Sequence, residues 1–448
     1  MPSLVLESKL FGEMFGSAAM RALFGDAALV QRYLDVEAAL ARVQSRLGLI
    51  PAEAGAAITA VAQVERVEWE PLARKTTLVG YPIKPLVDQL AGWAEEGLGR
   101  YAHWGATTQD IMDTADVLQI RDALALVEAD LEAIAGSLAG LAERHAETPM
   151  AGRTHLQHAL PITFGYKAAT WLAGIDRHRR RLAELKPRVL VGQFAGAAGT
   201  LASLGGRGLE VQDALMAELG LGRPDMTWHT VRDGFAETTG FLALVAGSLG
   251  KIGFDIMLLM QSEVGEVFEP FVSGRGSSST MPQKRNPIAS ELMLAAAKLA
   301  REQHSAMLDA LVQDHERATG QWQVEWQALP GAFMAASAGL AAARETLAGL
   351  EVRPEAMRRT LEASGGLIVA EAVMMGLAPA LGRGLAHDLV YDCCRRALEE
   401  DLPFLEALAA EPRIAEAASR EELAALVEPA NYLGVAPEMV RRLLAARD

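Results

Sequence analysis

The chain predicts an all-α protein built from long packed helices. Three observations carry that expectation: half of its 448 residues are apolar, aromatics make up only 6 %, and apolar residues recur at three- and four-residue spacing over long stretches. Ala and Leu dominate while β-branched residues are sparse, a balance that favours close-packed helices over sheets. In 28–47, Leu29, Tyr33, Val36, Leu40 and Val43 mark one helical face, closed by Gly48 and Pro51. The segment 76–84 holds Gly80 and Pro82 and reads as a turn. Further helices are expected over 111–146, 166–185, 234–260, 288–313 and 332–350, with shorter ones beyond Pro354. These suggest three helical domains, 1–110, 111–353 and 354–448. Helices of 20 to 35 residues in the middle third are expected to pack against copies of themselves, as a subunit-built core.

Composition excludes several function classes. A net charge of −15, with no Lys/Arg-rich run that suggests a polyanion-binding tail, argues against a nucleic-acid surface, so an anionic substrate must be met by a local positive pocket. Cys393 and Cys394 are adjacent within a predicted helix, which indicates neither a disulfide framework nor a thiolate metal site and suits a reducing cytoplasm. The N-terminus lacks the pattern of a secretory signal. The most apolar segment, 234–260, is interrupted by Glu237, Lys251 and Asp255 and reads as a buried bundle helix rather than a membrane span.

The stretch 274–287, GRGSSSTMPQKRNP, crowds flexible backbone, serine hydroxyls and cations between helical segments. Gly274 and Gly276 permit backbone movement, while Pro282 and Pro287 stiffen the far side. Ser277, Ser278 and Ser279 offer hydroxyls that accept or deliver a proton. Lys284, Arg285 and Asn286 supply the donors that a carboxylate or a developing oxyanion requires. A solvated linker seldom carries such a cluster directly into an apolar helix. Two more polar entries lead into long helices, HWGATTQDIMD (103–113) and RTHLQH (153–158), and a Gly/Ala-rich stretch at 192–200 suggests a close helix contact or a backbone-lined site. His155 and His158 lie three apart without an HExxH pattern, so no metal is expected. His229 reads equally as a satisfied structural histidine, and Trp322 and Trp326, at i and i+4, read as helix core.

Taken together, the three entries resemble the fumarase/aspartase superfamily, whose SSxMPxKxNP pattern matches Ser278 through Pro287, and the resemblance extends over essentially the whole chain. It implies cleavage of C–N or C–O bonds β to a carboxylate, or the reverse addition, in a homotetramer with a central helical bundle and sites shared among subunits, without a cofactor. By position Ser278 resembles the catalytic base and His155 the general acid, with Lys284 and Asn286 suited to the charge that spreads onto the carboxylate. His103, Thr107, Thr108, Gln109, Thr154, Ser279, Met281 and Arg285 resemble substrate-binding positions; capping is the other reading of the threonines.

Adenylosuccinate lyases share the HWGATTQD outline but carry a Thr-x-His-Asp segment where this chain has 76–82, TTLVGYP, and a cation-bearing phosphate segment where Glu316-Arg317 is followed by none through Pro330. That segment, with WHTVRD (228–233) and PANYLG (429–434), looks like the 3-carboxy-cis,cis-muconate cycloisomerases. One departure stands out: many bacterial cycloisomerases carry a bulky non-acidic residue where this chain keeps His155. The resemblance therefore implies a cycloisomerase-like enzyme acting on a di- or tricarboxylate, with a fumarate-forming lyase of a succinyl compound as the alternative and an inactive structural bundle as the second.

Overall fold

The computed structural model describes residues 5, 8–277 and 280–447. Ser278 and Ser279 lie outside them. The expected all-α class is borne out: among the described residues the only strands are two short antiparallel pairs. The chain forms two compact units, each assembled from three segments: Met1–Leu131, His178–Gly250 and Leu292–Ala341 in the first, Glu132–Arg177, Lys251–Glu291 and Ala342–Asp448 in the second.

The principal elements are α1 (Asp26–Arg46), α2 (Trp69–Val79), α3 (Ile83–Trp93), α4 (Thr108–Arg144), the hairpin β1 (Pro149–Thr154) and β2 (Gln157–Thr163), α5 (Phe164–Val189), α6 (Asp233–Leu259), β3 (Val267–Phe268), α7 (Ile288–Ala310), α8 (Gln321–Ala348) and β4 (Glu351–Val352). Gly80, at φ 93°, ends α2 in a left-handed conformation and makes the turn expected within 76–84.

In α4 the residues Ile111, Ala115, Leu118 and also Asp113, Val117 and Ile120 are buried, so the helix is covered almost all round, as a core helix must be. α8 begins at Gln321, well before the expected 332. Pro330 removes one backbone donor but does not end the helix, because Trp322, Glu325 and Leu329 before it and Phe333, Ala336 and Leu340 after it bury a common face. α6 is the one described helix long and apolar enough to cross a membrane; half of its most apolar window is buried. Its polar interruptions are engaged, Glu237 with Arg188 and Asp255 with Lys251 and the Trp171 indole.

In the second unit, residues 149–163 form a hairpin where only a polar entry was expected. Beyond it, Val373, Leu377, Val390, Phe404, Leu408 and Ile414 build a core among the C-terminal helices. Cys393 packs in that core and Cys394 against it; burial pushes the Cys394 thiol up to about 11, which keeps it protonated and inert.

Candidate active site

In the first unit the site is built on the turn that starts α4. The carboxylate of Asp110, fully buried, accepts from the backbone N–H of Thr107 (3.0 Å), Ala195 (2.9 Å) and Gly196 (2.9 Å) and lies 2.8 Å from His229 Nε2. One side chain therefore caps the helix and draws the Gly/Ala-rich stretch against it. Gly196, at φ 76°, makes the turn that presents its amide. The 192–200 stretch is thus a backbone-lined approach to α4. His229 is buried and held, the structural role that was one of its two readings. Gln109 is also buried; its Nε2 donates to the His229 carbonyl at 2.8 Å, and its Oε1 has no partner among the described residues.

His103 stands before this turn at φ 59°, a left-handed conformation fixed by Glu37. Glu37 Oε2 accepts from the His103 amide at 3.0 Å and Oε1 lies 2.6 Å from Nδ1, so Nδ1 carries the proton and Nε2 is the ring's other nitrogen. Burial opposes the charged ring, but Glu37, by charge and hydrogen bond, outweighs it; Asp110 adds to the rise and Lys84 opposes it, and the pKa ends raised. Arg317, which closes the Glu-Arg pair noted in the sequence, donates to Thr107 Oγ1 at 3.1 Å and to the Ala197 carbonyl at 3.0 Å.

Beneath this turn lies a group that sequence reasoning missed. Arg232 is wholly buried and donates to Asp113 on α4 through Nη1 (2.7 Å) and Nη2 (2.9 Å) and to Glu325 on α8 through Nε (3.0 Å). Its guanidinium also lies 4.9 Å from the Trp228 ring centroid and 4.6 Å from that of Phe235. Burial disfavours its charge, but the two carboxylates overcome this and its pKa is raised. The only sequence signal was that Asp113 and Arg232 each lie within a stretch already singled out.

In the second unit His155 occupies the tip of the β1–β2 hairpin. Thr154 pairs with Gln157, leaving His155 and Leu156 as a two-residue turn, both at positive φ (51° and 61°). That is the pattern of a type I′ turn, normally made by Asn-Gly because it strains other residues. Leu156 is 77 % exposed and gains no burial in return. The hairpin thus spends backbone energy to hold an imidazole at an exposed tip. Arg153 secures its base through Glu266, a buried carboxylate at 2.7 Å and 3.0 Å.

The same unit carries the signature loop. Asn286 donates to the Gly276 carbonyl through its backbone N–H (3.2 Å) and its Nδ2 (2.9 Å), closing the neck. Gly276 sits at φ 65°, and a Cβ there would meet the Asn286 carbonyl at 2.5 Å. Arg285 donates to Glu351 at 2.9 Å and 3.2 Å and to the Glu269 carbonyl at 2.7 Å. Its guanidinium and that of Arg353 both lie over the Phe268 ring. Glu269, buried, accepts from the Ser290 amide and hydroxyl, each at 2.7 Å, and so fixes the start of α7. Between these anchors Met281 and Lys284 are exposed, and Lys284 borders a cleft of about 110 Å³ with Arg275, Ser277 and Asn286.

The first unit therefore gathers His103, Thr107, Thr108 and Gln109 on one turn. The second unit holds Thr154 and His155 on the hairpin and Met281, Lys284, Arg285 and Asn286 on the loop. Within that unit the hairpin and loop are linked, because Arg153 grips Glu266, and β3 then carries Phe268 to Arg285.

The chain matches the family model described as Lyase over residues 15–300 and that described as Adenylosuccinate lyase C-terminus over 366–443. It is 49 % identical over 443 residues to the 3-carboxy-cis,cis-muconate cycloisomerase of Pseudomonas aeruginosa, covering 98 % of this chain and 96 % of that one. It is 48 % identical over 445 residues to trans-aconitate decarboxylase 1 of Mycosarcoma maydis, covering 99 % and 90 %. The crystal structure of fumarate lyase from Mesorhizobium sp. BNC1 matches with a TM-score of 0.91 at 53 % identity, over 97 % of this chain and 99 % of that one. On these likenesses, which run from end to end, the chain belongs to the fumarase/aspartase superfamily and is an enzyme of it.

Proposed function

We propose that the protein adds or eliminates across the bond next to a carboxylate of a di- or tricarboxylate, with a cycloisomerase-like lactonisation as its reaction. The observation that carries this reading is the signature loop, closed at the neck by Gly276 and Asn286 and anchored by Arg285 while Lys284 stays exposed. In the lactonising direction a substrate carboxylate oxygen bonds to one alkene carbon, and the neighbouring carbon, carrying the electron pair spread onto its own carboxylate, takes a proton from Ser278. Elimination runs the same steps backwards, with Ser278 as base. Lys284 and Asn286 stabilise the intermediate charge. An alcohol is a poor base near neutral pH, so Ser278 requires the cations and amides of the closed loop and exclusion of water.

His103, Thr107, Thr108 and Gln109 are proposed to bind a second carboxylate, with Arg317 positioning Thr107. Thr154, Ser279 and Met281 are proposed to bind substrate at the reacting end. Arg285, engaged with Glu351, acts by holding the loop. No metal or cofactor enters these steps. The relatives named for an unsaturated tricarboxylate substrate support the substrate class. A second reading, fumarate-forming elimination, is favoured by one observation: His155 is held at a strained, exposed tip, where a general acid for a leaving group would stand. A homotetramer is proposed from the apolar side chains exposed along α6, Leu244 and Phe254, which assembly would cover. A cytoplasmic location is proposed from the unpaired thiols of Cys393 and Cys394.

An ultraviolet screen separates the reactions. Lactonisation removes the chromophore of 3-carboxymuconate, whereas elimination from a succinyl amine or thioether raises fumarate absorbance. Inert 3-carboxymuconate with cleavage of a succinyl compound would overturn the first reading in favour of the second.

A further inference from the structure

In the second unit a groove of about 540 Å³ runs between the first half of α5 and the last helix, Ala436–Ala445. Ala169, Ala173, Val440, Leu443 and Ala446 make its apolar wall, and Tyr166 adds a ring. It is open to solvent: Met439, which also lines it, is 52 % exposed. A volume of this size suits a small organic molecule. The last helix is pinned beside it. Arg447 meets Asp176 at 3.5 Å and donates to the Ala135 carbonyl at 3.4 Å, while Arg441 meets Glu438 at 3.1 Å and Glu147 at 3.4 Å. The groove is therefore already formed, and a ligand need not open it.

The charge around the groove is one-sided. Arg177 and Arg442 line it and no acidic side chain does. Both arginines are exposed, and neither guanidinium has a hydrogen-bond or ion-pair partner among the described residues. The carboxylates next to them in sequence do not fill that role, because Asp176 is taken by Arg447 and Glu438 by Arg441. In a chain of net charge −15 the two cations thus make a local positive site above an apolar wall. An inorganic anion would use the arginines and leave the wall in water. An uncharged apolar molecule would cover the wall and leave the arginines unmatched. The complement of both is an anion with an apolar body.

We propose that this groove is a binding site for an apolar monocarboxylate, whose carboxylate is met by Arg177 and Arg442 and whose body lies on the wall between α5 and the last helix. Covering the wall supplies affinity, and the two cations select the acid over its uncharged analogue. The site uses none of the residues assigned to the reaction above and stands independently of it.

The test measures binding of 2-naphthoate and octanoate to the full-length protein by calorimetry, with 2-naphthamide and octanamide as uncharged controls. At least one acid is expected to bind, about tenfold more tightly than its amide, the worth of a charge-assisted contact. Tighter binding of octanoate assigns an acyl chain to the ligand and of 2-naphthoate a ring; either supports the site. Arg177→Gln combined with Arg442→Gln should lower the acid to the affinity of its amide and leave the amide unchanged. Both side chains are exposed, so the circular dichroism spectrum and turnover of this double variant should match the wild type. The proposal is overturned if neither acid binds, if acid and amide bind equally, or if the double variant binds the acid as the wild type does. It is also overturned if the double variant changes the assembly state in sedimentation, since the arginines would then serve a contact between copies of the chain.

Discussion

Glu37 grips His103 by both carboxylate oxygens, one 2.6 Å from the ring Nδ1 and the other 3.0 Å from the backbone amide. The pair fixes a strained backbone and a protonation state together. Because the folded pKa of His103 is raised above its ordinary 6.5, the ring's contribution to stability is complete below that value and is lost as pH rises through the folded one. Glu37→Gln should bring the His103 titration down, read by NMR of the imidazole, and should flatten the decline of unfolding free energy as pH rises above about 6.5. An unchanged titration would remove Glu37 as the cause.

Arg232 joins two carboxylates in a wholly buried node, so removing it strands both charges. Arg232→Met should cost about 3–5 kcal/mol in chemical denaturation, because a broken buried pair leaves an uncompensated charge. Arg232→Lys should recover only part of this, since an ammonium cannot reproduce the forked bonds to Asp113 and Glu325. A loss below about 1 kcal/mol would mean that Asp113 and Glu325 are neutralised at little expense.

At Gly276 two effects coincide: a left-handed φ and a carbonyl where a Cβ would sit. Gly276→Ala should open the loop neck, lowering turnover and increasing proteolytic cutting within 274–287, with the helical circular dichroism spectrum preserved. Normal turnover with unaltered cutting would show that the neck tolerates the methyl group.

At His155 the turn and the chemistry can be separated. Asparagine adopts positive φ readily, so His155→Asn should hold the hairpin with unchanged or slightly higher thermal stability. Loss of a general acid should nonetheless lower elimination about a hundredfold or more. Full activity would reduce His155 to a turn residue.

The long helices were legible because their apolar spacing is local, and the loop was legible because its chemistry is contiguous. The hairpin at 149–163 was not. Its strands are short, and the His155-Leu156 tip lacks the Asn-Gly signal from which such turns are read. The Arg232 node was hidden for another reason: Asp113 is 119 residues from Arg232 and Glu325 is 93 away, and no periodicity reports pairs at that distance. The start of α8 was missed because Pro330 reads as a boundary, whereas packing of Leu329 before it and Phe333 after it carries the helix past it. The turn at 107–110 was legible as a candidate binding segment, while the partners that shape it, Ala195, Gly196 and Arg317, come from distant stretches.

Turnover of Ser278→Ala on the best carboxylate substrate tests the proposed chemistry most directly. With Ser278 as base, activity should fall by about a thousandfold or more while the helical circular dichroism spectrum and the assembly state match the wild type. Turnover within a few-fold of wild type would contradict it and move the proton to another group.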